Sequence, residues 1–142
     1  MALKIINHGS KEYRQMVDLR FQILRKPLGL TYSPEELAAE KDDILLGCYE
    51  DDILEACCML TKTDPETVRL RQMAVSSNLQ GKGIGRALMV FAENIARDHG
   101  FKRITMHARE SAAGFYEKSG YKVSSDKFEE VTVPHYVMEK EL

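Results

Sequence analysis

The chain lacks a charge bias: its 142 residues hold 20 Lys plus Arg against 22 Asp plus Glu, a formal net charge of −2. That balance selects for neither nucleic acid nor an anionic membrane surface, and no partner of either kind is expected. A long apolar run is also missing. A membrane span needs roughly 20 apolar residues, whereas Ile53 to Leu60 is short and broken by Glu55. Met1 to Ser10 carry Lys4, Asn7 and His8 within a short apolar patch, without the h-region and cleavage site of a secretory leader. A soluble, cytoplasmic protein is expected. The three cysteines, Cys48, Cys57 and Cys58, form no CxxC, and an adjacent pair on a strand points to opposite faces. Neither a disulfide framework nor a metal site is suggested, and buried, reduced thiols are expected. With 9 Gly, 4 Pro and 44% hydrophobic residues, the composition excludes disordered and fibrous classes. Repeats, low-complexity tracts and linkers are absent, so a single domain over 1–142 is expected.

Ser10 caps a helix whose apolar positions Met16, Val17, Leu19, Ile23 and Leu24 recur at three-to-four spacing until Pro27 and Gly29. Ser33-Pro34-Glu35-Glu36 sets a capping Ser, a Pro at the first helical position and a Glu three residues after the cap, which predicts a second helix through about Lys41. Ile44 to Tyr49, Ile53 to Thr61 and Val68 to Val75 read as a meander of strands, broken at Glu50-Asp51-Asp52 and at Asp64-Pro65-Glu66. From Ile84 the period becomes helical, with Ile84, Leu88, Phe91 and Ile95 on one face and Gly100 as the stop. A strand over Arg103 to Ala108, a helix over about Ala112 to Lys118, and strands over Tyr121 to Ser124 and Val131 to Glu139 complete the chain. The order gives an α/β (α+β) class with a central sheet.

Gln80-Gly81-Lys82-Gly83-Ile84-Gly85-Arg86 joins the strand ending near Val75 to the helix of Leu88 and Phe91. Unpaired N–H groups at a helix start point outward, the helix dipole favours negative charge there, and glycines admit an anion close to the backbone. A pyrophosphate fits this description. The Walker pattern GxxxxGK[ST] is absent, because the lysine precedes the last two glycines and no Ser or Thr follows it. The dinucleotide fingerprint fails as well, since counting from Gly81 puts Arg86 where its final glycine belongs. A nucleotide-dependent enzyme is therefore disfavoured.

What remains, Gln80-x-x-Gly83-x-Gly85, resembles the [Gln/Arg]-x-x-Gly-x-[Gly/Ala] motif of the GCN5-related N-acetyltransferase (GNAT) superfamily. A second stretch, Arg109 through Ala112, Tyr116, Lys118, Gly120 and Tyr121, is similar to that family's Asn-x-x-Ala-x-x-x-Tyr-x-Lys-x-Gly-[Phe/Tyr], with Arg109 in place of the Asn. The resemblance implies a central mixed, mostly antiparallel sheet flanked by helices. It also implies acetyl-CoA as cosubstrate, held with its pantetheine arm along Met73, Ala74 and Val75 and its pyrophosphate within Gln80, Gly81, Lys82, Gly83, Ile84, Gly85 and Arg86. The gap that receives it is expected between the strand ending at Val75 and the strand of Arg103 to Ala108.

The implied reaction is direct attack of a primary amine on the thioester. An amine with a pKa of about 10.4 costs roughly 4 kcal/mol to deprotonate at neutral pH, so a base or water path is needed, and the departing thiolate must gain a proton. Tyr116 is the expected acid, and a backbone N–H near Met73 the expected oxyanion donor. No Ser-His-Asp or Cys-His signature is present, and direct attack requires none. Alternation puts His107 and Arg109 on the side of their strand away from Ile104, Met106 and Ala108. Glu129, Glu130 and His135 sit near the C-terminal strands that border the acceptor site in the family. The acceptor, a small-molecule or peptide amine, is open, as is assembly into a homodimer. A non-catalytic acyl-CoA-binding or regulatory module is the rival reading.

Overall fold

Two cap motifs written in the sequence set the first helices. The Ser10 side chain accepts from the Tyr13 N–H and starts α1, Lys11–Arg20. This helix runs on as a π-helical turn, Phe21–Arg25, and a 3₁₀ turn, Lys26–Leu28, and ends at Gly29 with φ +70°. Ser33 and Glu36 form a reciprocal capping box at the start of α2, Pro34–Ala38. This helix is shorter than the sequence predicts. After Ala38 the bonds tighten, with the Glu40 N–H donating to Leu37 O and the Lys41 N–H to Ala38 O, and the turn tucks Glu40 into the interior.

The computed structural model describes all of residues 1–142. Its strands are β1 Ala2–Ile6, β2 Ile44–Glu50, β3 Ile53–Asp64, β4 Thr67–Val75, β5 Arg103–Arg109, β6 Lys122–Val123, β7 Phe128–Glu130 and β8 Val133–Glu141. The remaining helices are α3, Ile84–Asp98, and α4, Ala113–Lys118. The strands form one sheet in the order β1-β2-β3-β4-β5-β8-β6, with β7 also paired to β8. Only β4 and β5 run parallel, as expected where α3 makes the crossover between them. The mixed, mostly antiparallel sheet flanked by helices is thus present.

Alternation along the strands feeds two cores. On one face Leu46, Cys58, Leu60, Val68, Leu70, Ile104, Met106 and Met138 pack against Leu88, Met89, Ala92 and Ala96 of α3. On the other, Leu45, Cys57, Met59 and Ala74 pack against Tyr13 and Met16 of α1. Cys57 and Cys58 do go to opposite faces, and all three cysteines are free and buried. Each fully buried Leu or Met contributes roughly 1.5–3 kcal/mol of apolar transfer, which anchors α3 firmly beneath the loop at its start.

Two strands, β1 and β7, lie outside the expected runs, and β6 and β8 are bounded differently. Val131 and Thr132 have φ of +47° and +64° and turn the chain between β7 and β8. A two-residue turn of this hand normally takes Asn-Gly, so β-branched residues there read as strand. The expected strand over Tyr121 to Ser124 shrinks to Lys122–Val123, beside Tyr121, which packs into the core.

Candidate active site

The site begins with an irregularity in β4. Between Ala74↔Cys57 and Arg71↔Met59, β4 carries one more residue than β3. This is a bulge, and Gln72 has a φ of +57°. The parallel ladder with β5 extends only from Thr67↔Arg103 to Leu70↔Met106. Beyond it, Arg71 to Val75 have no partner on β5, and Gln72 and Met73 have none on β3 either. A gap therefore opens through the sheet at the expected place, edged by backbone that can pair with an extended ligand.

On the α3 side of this gap lies the glycine loop. Gln80 folds back so that its Nε2 donates to Val75 O at 3.1 Å. Gly81 has φ +83°, and Gly83, at the N-cap of α3, has φ +82° and makes no side-chain cap. No backbone N–H from Gly81 through Arg86 donates to a protein acceptor. The loop is a fan of unmet donors at the positive end of a 15-residue helix dipole. Lys82 and Arg86 are exposed beside it and pair with no carboxylate.

The three glycines differ in what surrounds them. A Cβ on Gly81 or Gly83 would meet nothing within 4 Å, so these two are required for left-handed backbone. A Cβ on Gly85 would lie 3.3 Å from Phe115 Cζ and 3.4 Å from Val75 Cγ2, so this glycine lets α3 pack closely on α4 and the end of β4.

Tyr116 on α4 sits in the same apolar cluster that Met73, Val75 and Ile84 border. Ala74 faces the opposite core, so only its backbone can line the gap. Tyr116 is 6% exposed, and burial pushes its phenol pKa well above the usual value near 10. Its hydroxyl has no protein hydrogen-bond partner, and the enclosed unpaired side-chain atoms are Arg20 Nε and Arg69 Nε only, so this hydroxyl reaches open space. Burial pushes the Cys57 thiol up to about 12 and Cys58 well above its ordinary value, which removes both as nucleophiles.

The opposite face of the gap is polar. As alternation predicts, His107 and Arg109 project there, with Arg69 and Arg71 of β4. Glu130 Oε1 and Arg69 Nη2 lie 2.9 and 3.0 Å from the same His107 Nδ1. A protonated Nδ1 donates to Glu130, whereas an unprotonated one accepts from Arg69, so a single proton decides which contact is made. Burial opposes the Glu130 charge, but the hydrogen bond and charge of His107 outweigh it and hold this carboxyl below its usual range. His135 Nε2 is 3.7 Å from Glu130 Oε2, and Glu129 points to solvent.

A network invisible in the sequence ties α1 and α2 to the bulge. Tyr32 Oη donates to Gln72 Oε1 at 2.7 Å, while the Arg25 and Arg20 guanidinium carbons lie 4.2 and 4.7 Å from the Tyr32 ring centroid. Arg20 and Glu40, 0% and 4% exposed, form a two-pronged pair at 2.8 and 2.7 Å, and Tyr13 Oη donates to Glu40 Oε1 at 2.7 Å. Burial works against the Glu40 charge, but the bonds from Arg20 and Tyr13 prevail and hold its pKa below the usual value. These partners lie 20 to 40 residues apart in the chain, so no local pattern could reveal them. No group of three or more His, Cys, Asp or Glu is placed to hold a metal ion, and no helix is long and apolar enough to cross a membrane.

Residues 31–142 match the family model described as an acetyltransferase (GNAT) domain. Among curated proteins, YyaT of Bacillus subtilis (strain 168) is 33% identical over 76 residues, 54% of this chain and 51% of that protein. The chain spans about half the length of the curated relatives it matches. Among solved structures, Escherichia coli ElaA superposes with a TM-score of 0.86 at 21% identity, covering 99% of this chain and 100% of that one. A GNAT family acetyltransferase from Elizabethkingia anophelis with acetyl-CoA bound gives 0.76 at 19% identity, covering 99% and 97%. With its bulged β4, parted β4–β5 pair and open glycine loop, the chain belongs to the GNAT acetyltransferase family.

Proposed function

We propose that the protein is an N-acetyltransferase that moves the acetyl group of acetyl-CoA directly to a primary amine. The observation that carries this reading is the set of unmet N–H groups from Gly81 to Arg86 at the start of α3, beside a gap whose β4 edge is unpaired. Those donors fit a pyrophosphate, and Lys82 and Arg86 add positive charge. The free edge of Met73 to Val75 fits the amide-bearing arm of the coenzyme, which supplies an activated acyl group as its thioester.

Within that frame each residue has a defined task. The backbone at Met73, freed from both neighbouring strands, is the donor toward the thioester oxygen. Tyr116, kept protonated by burial, is the proton source for the departing sulfur. The acceptor approaches from the polar face, because the loop and Tyr116 occupy the other, and His107 with Glu130 offers it a route for its proton. No enzyme nucleophile is needed, in agreement with the inert cysteines.

Calorimetric titration with acetyl-CoA, followed by measurement of thiol release across a panel of amines, tests the reading. Saturable binding and amine-dependent release are expected. Binding without release by any amine would leave a non-catalytic acyl-CoA-binding module, and absence of binding would refute the loop's role.

A further inference from the structure

Arg20, Arg25 and Arg103 each meet a carboxylate, from Glu40, Glu36 and Glu141 respectively. Arg69, Arg71 and Arg109 do not, although all three are half-buried on the polar face of the gap. Arg69 touches the His107 ring nitrogen and has its Nε enclosed without a partner. Arg71 has only a long 3.4 Å bond to Thr61 Oγ1, and Arg109 donates to the Leu24 carbonyl at 3.0 Å. The carboxylates near this face are Glu130, engaged with His107; Asp43, which lies beyond ion-pair distance of Arg71 and is half-buried beside Thr61; and Glu139, opposite Thr105 on β8, which forms no ion pair and stands at the end of the face away from the gap. Glu40 is committed to Arg20. The face therefore carries three guanidinium groups without ion-pair partners in partly desolvated positions, where an unpaired guanidinium is costly.

We propose that this face receives an amine substrate bearing its own anionic group, a carboxylate or a phosphate, with Arg71 and Arg69 as its principal holders. The proposal rests on the acetyl-transfer reading and adds a substrate class to it. The same charge has a second effect. An ammonium brought next to guanidinium groups loses stability relative to the neutral amine, so the nucleophilic form is favoured once the anionic end is seated. A polycation gains no such seat and is repelled by the unpaired guanidinium groups. A separate groove between α1 and the ends of β3 and β4, lined by Gln15, Asp18, Gln22, Asp52, Ser76 and Ser77, has the charge to suit a cation. A preference for cationic acceptors would point there instead.

The test is acetyl-CoA-dependent thiol release by the full chain with matched amines. Amino acids of increasing length are set against their amides, O-phosphoethanolamine against ethanolamine, and spermidine serves as the polycation. The anionic member of a pair should exceed its neutral partner in kcat/KM by about 10- to 100-fold, the worth of charge-assisted bonds to one group, and spermidine should trail both. Whichever pair shows the larger ratio identifies carboxylate or phosphate as the bound group. Arg71→Gln should reduce that ratio about tenfold, through KM for the anionic member. The wild-type ratios stand whether or not this variant folds. A neutral amine or spermidine equal to or better than the anionic amines overturns the proposal while leaving acetyl transfer intact. Silence from every amine, with acetyl-CoA bound, overturns both.

Discussion

Gly83→Ala adds one methyl group to a residue with φ +82° at the start of α3. No protein atom lies within 4 Å of the new Cβ, so the fold meets no clash and its cost is backbone strain, roughly 1–2 kcal/mol for an alanine in the left-handed region. A variant that holds the loop loses that much stability, a fall in Tm of roughly 4–8 °C. A variant that lets the loop relax loses the alignment of its N–H groups, and the same free energy appears as about a 5- to 30-fold weaker Kd for acetyl-CoA. Gly83→Asn is the control, because asparagine tolerates this backbone region better than other side chains do, and it should recover most of the loss. Gly85→Ala probes a different constraint, since its Cβ would press on the Phe115 ring at 3.3 Å. Phe115 is 37% exposed and has room to yield, so a smaller loss is expected. Titration calorimetry and thermal melts on the three variants decide the matter. Wild-type Tm and Kd for Gly83→Ala, or a larger loss at Gly85 than at Gly83, would refute the division of roles among the glycines.

Tyr116→Phe removes a hydroxyl with no protein partner, so Tm should stay within about 1–2 °C while kcat falls by up to ~10²–10⁴-fold with acetyl-CoA affinity retained; an unchanged kcat would exclude Tyr116 as the acid. Because burial raises its pKa, the wild-type rate should show no falling limb from Tyr116 below about pH 10, and such a limb that vanishes in Tyr116→Phe would contradict the raised pKa. Glu40→Gln leaves Arg20 buried without its counter-charge and should cost about 3–5 kcal/mol at pH 7. The Glu40 carboxyl has a lowered pKa in the fold, so its contribution is complete above the ordinary carboxyl range and disappears as pH falls through the lowered value; the gap between variant and wild type in denaturant midpoints should close in acid, and a gap independent of pH would count against the pair. Replacing Val131-Thr132 by Asn-Gly relieves two β-branched residues at positive φ and should raise stability by about 1–2 kcal/mol; a lower Tm would show that the turn is held by something other than local preference.

What the sequence made legible has a common physical basis in short-range patterns. The Ser33–Glu36 box, the apolar stripe of Ile84, Leu88, Phe91 and Ile95, and the glycine spacing each act within a few residues. The box and the stripe stand in the structure as read, and the glycine loop stands where it was placed, at the start of α3. Strand alternation likewise placed His107 and Arg109 on the correct face. The bulge at Gln72 was not legible, because an uncharged residue inside a strand-like run carries no sign of a positive φ. Val131-Thr132 misled for the opposite reason, since its local preference is for strand and the tertiary pairing of β7 with β8 overrides it. The Tyr32–Gln72 bond, the Arg20–Glu40 pair and the unpaired state of Arg69, Arg71 and Arg109 depend on which distant segments come together. Residue identities alone do not determine that.

The most direct measurement on the central claim is an amide NMR titration of the ¹⁵N-labelled chain with acetyl-CoA. The N–H resonances of Gly81 through Arg86 should shift most strongly and together, at the concentration where calorimetry places binding. Binding that leaves those six amides unmoved, or no binding at all, would contradict the loop as the seat of the coenzyme's phosphates.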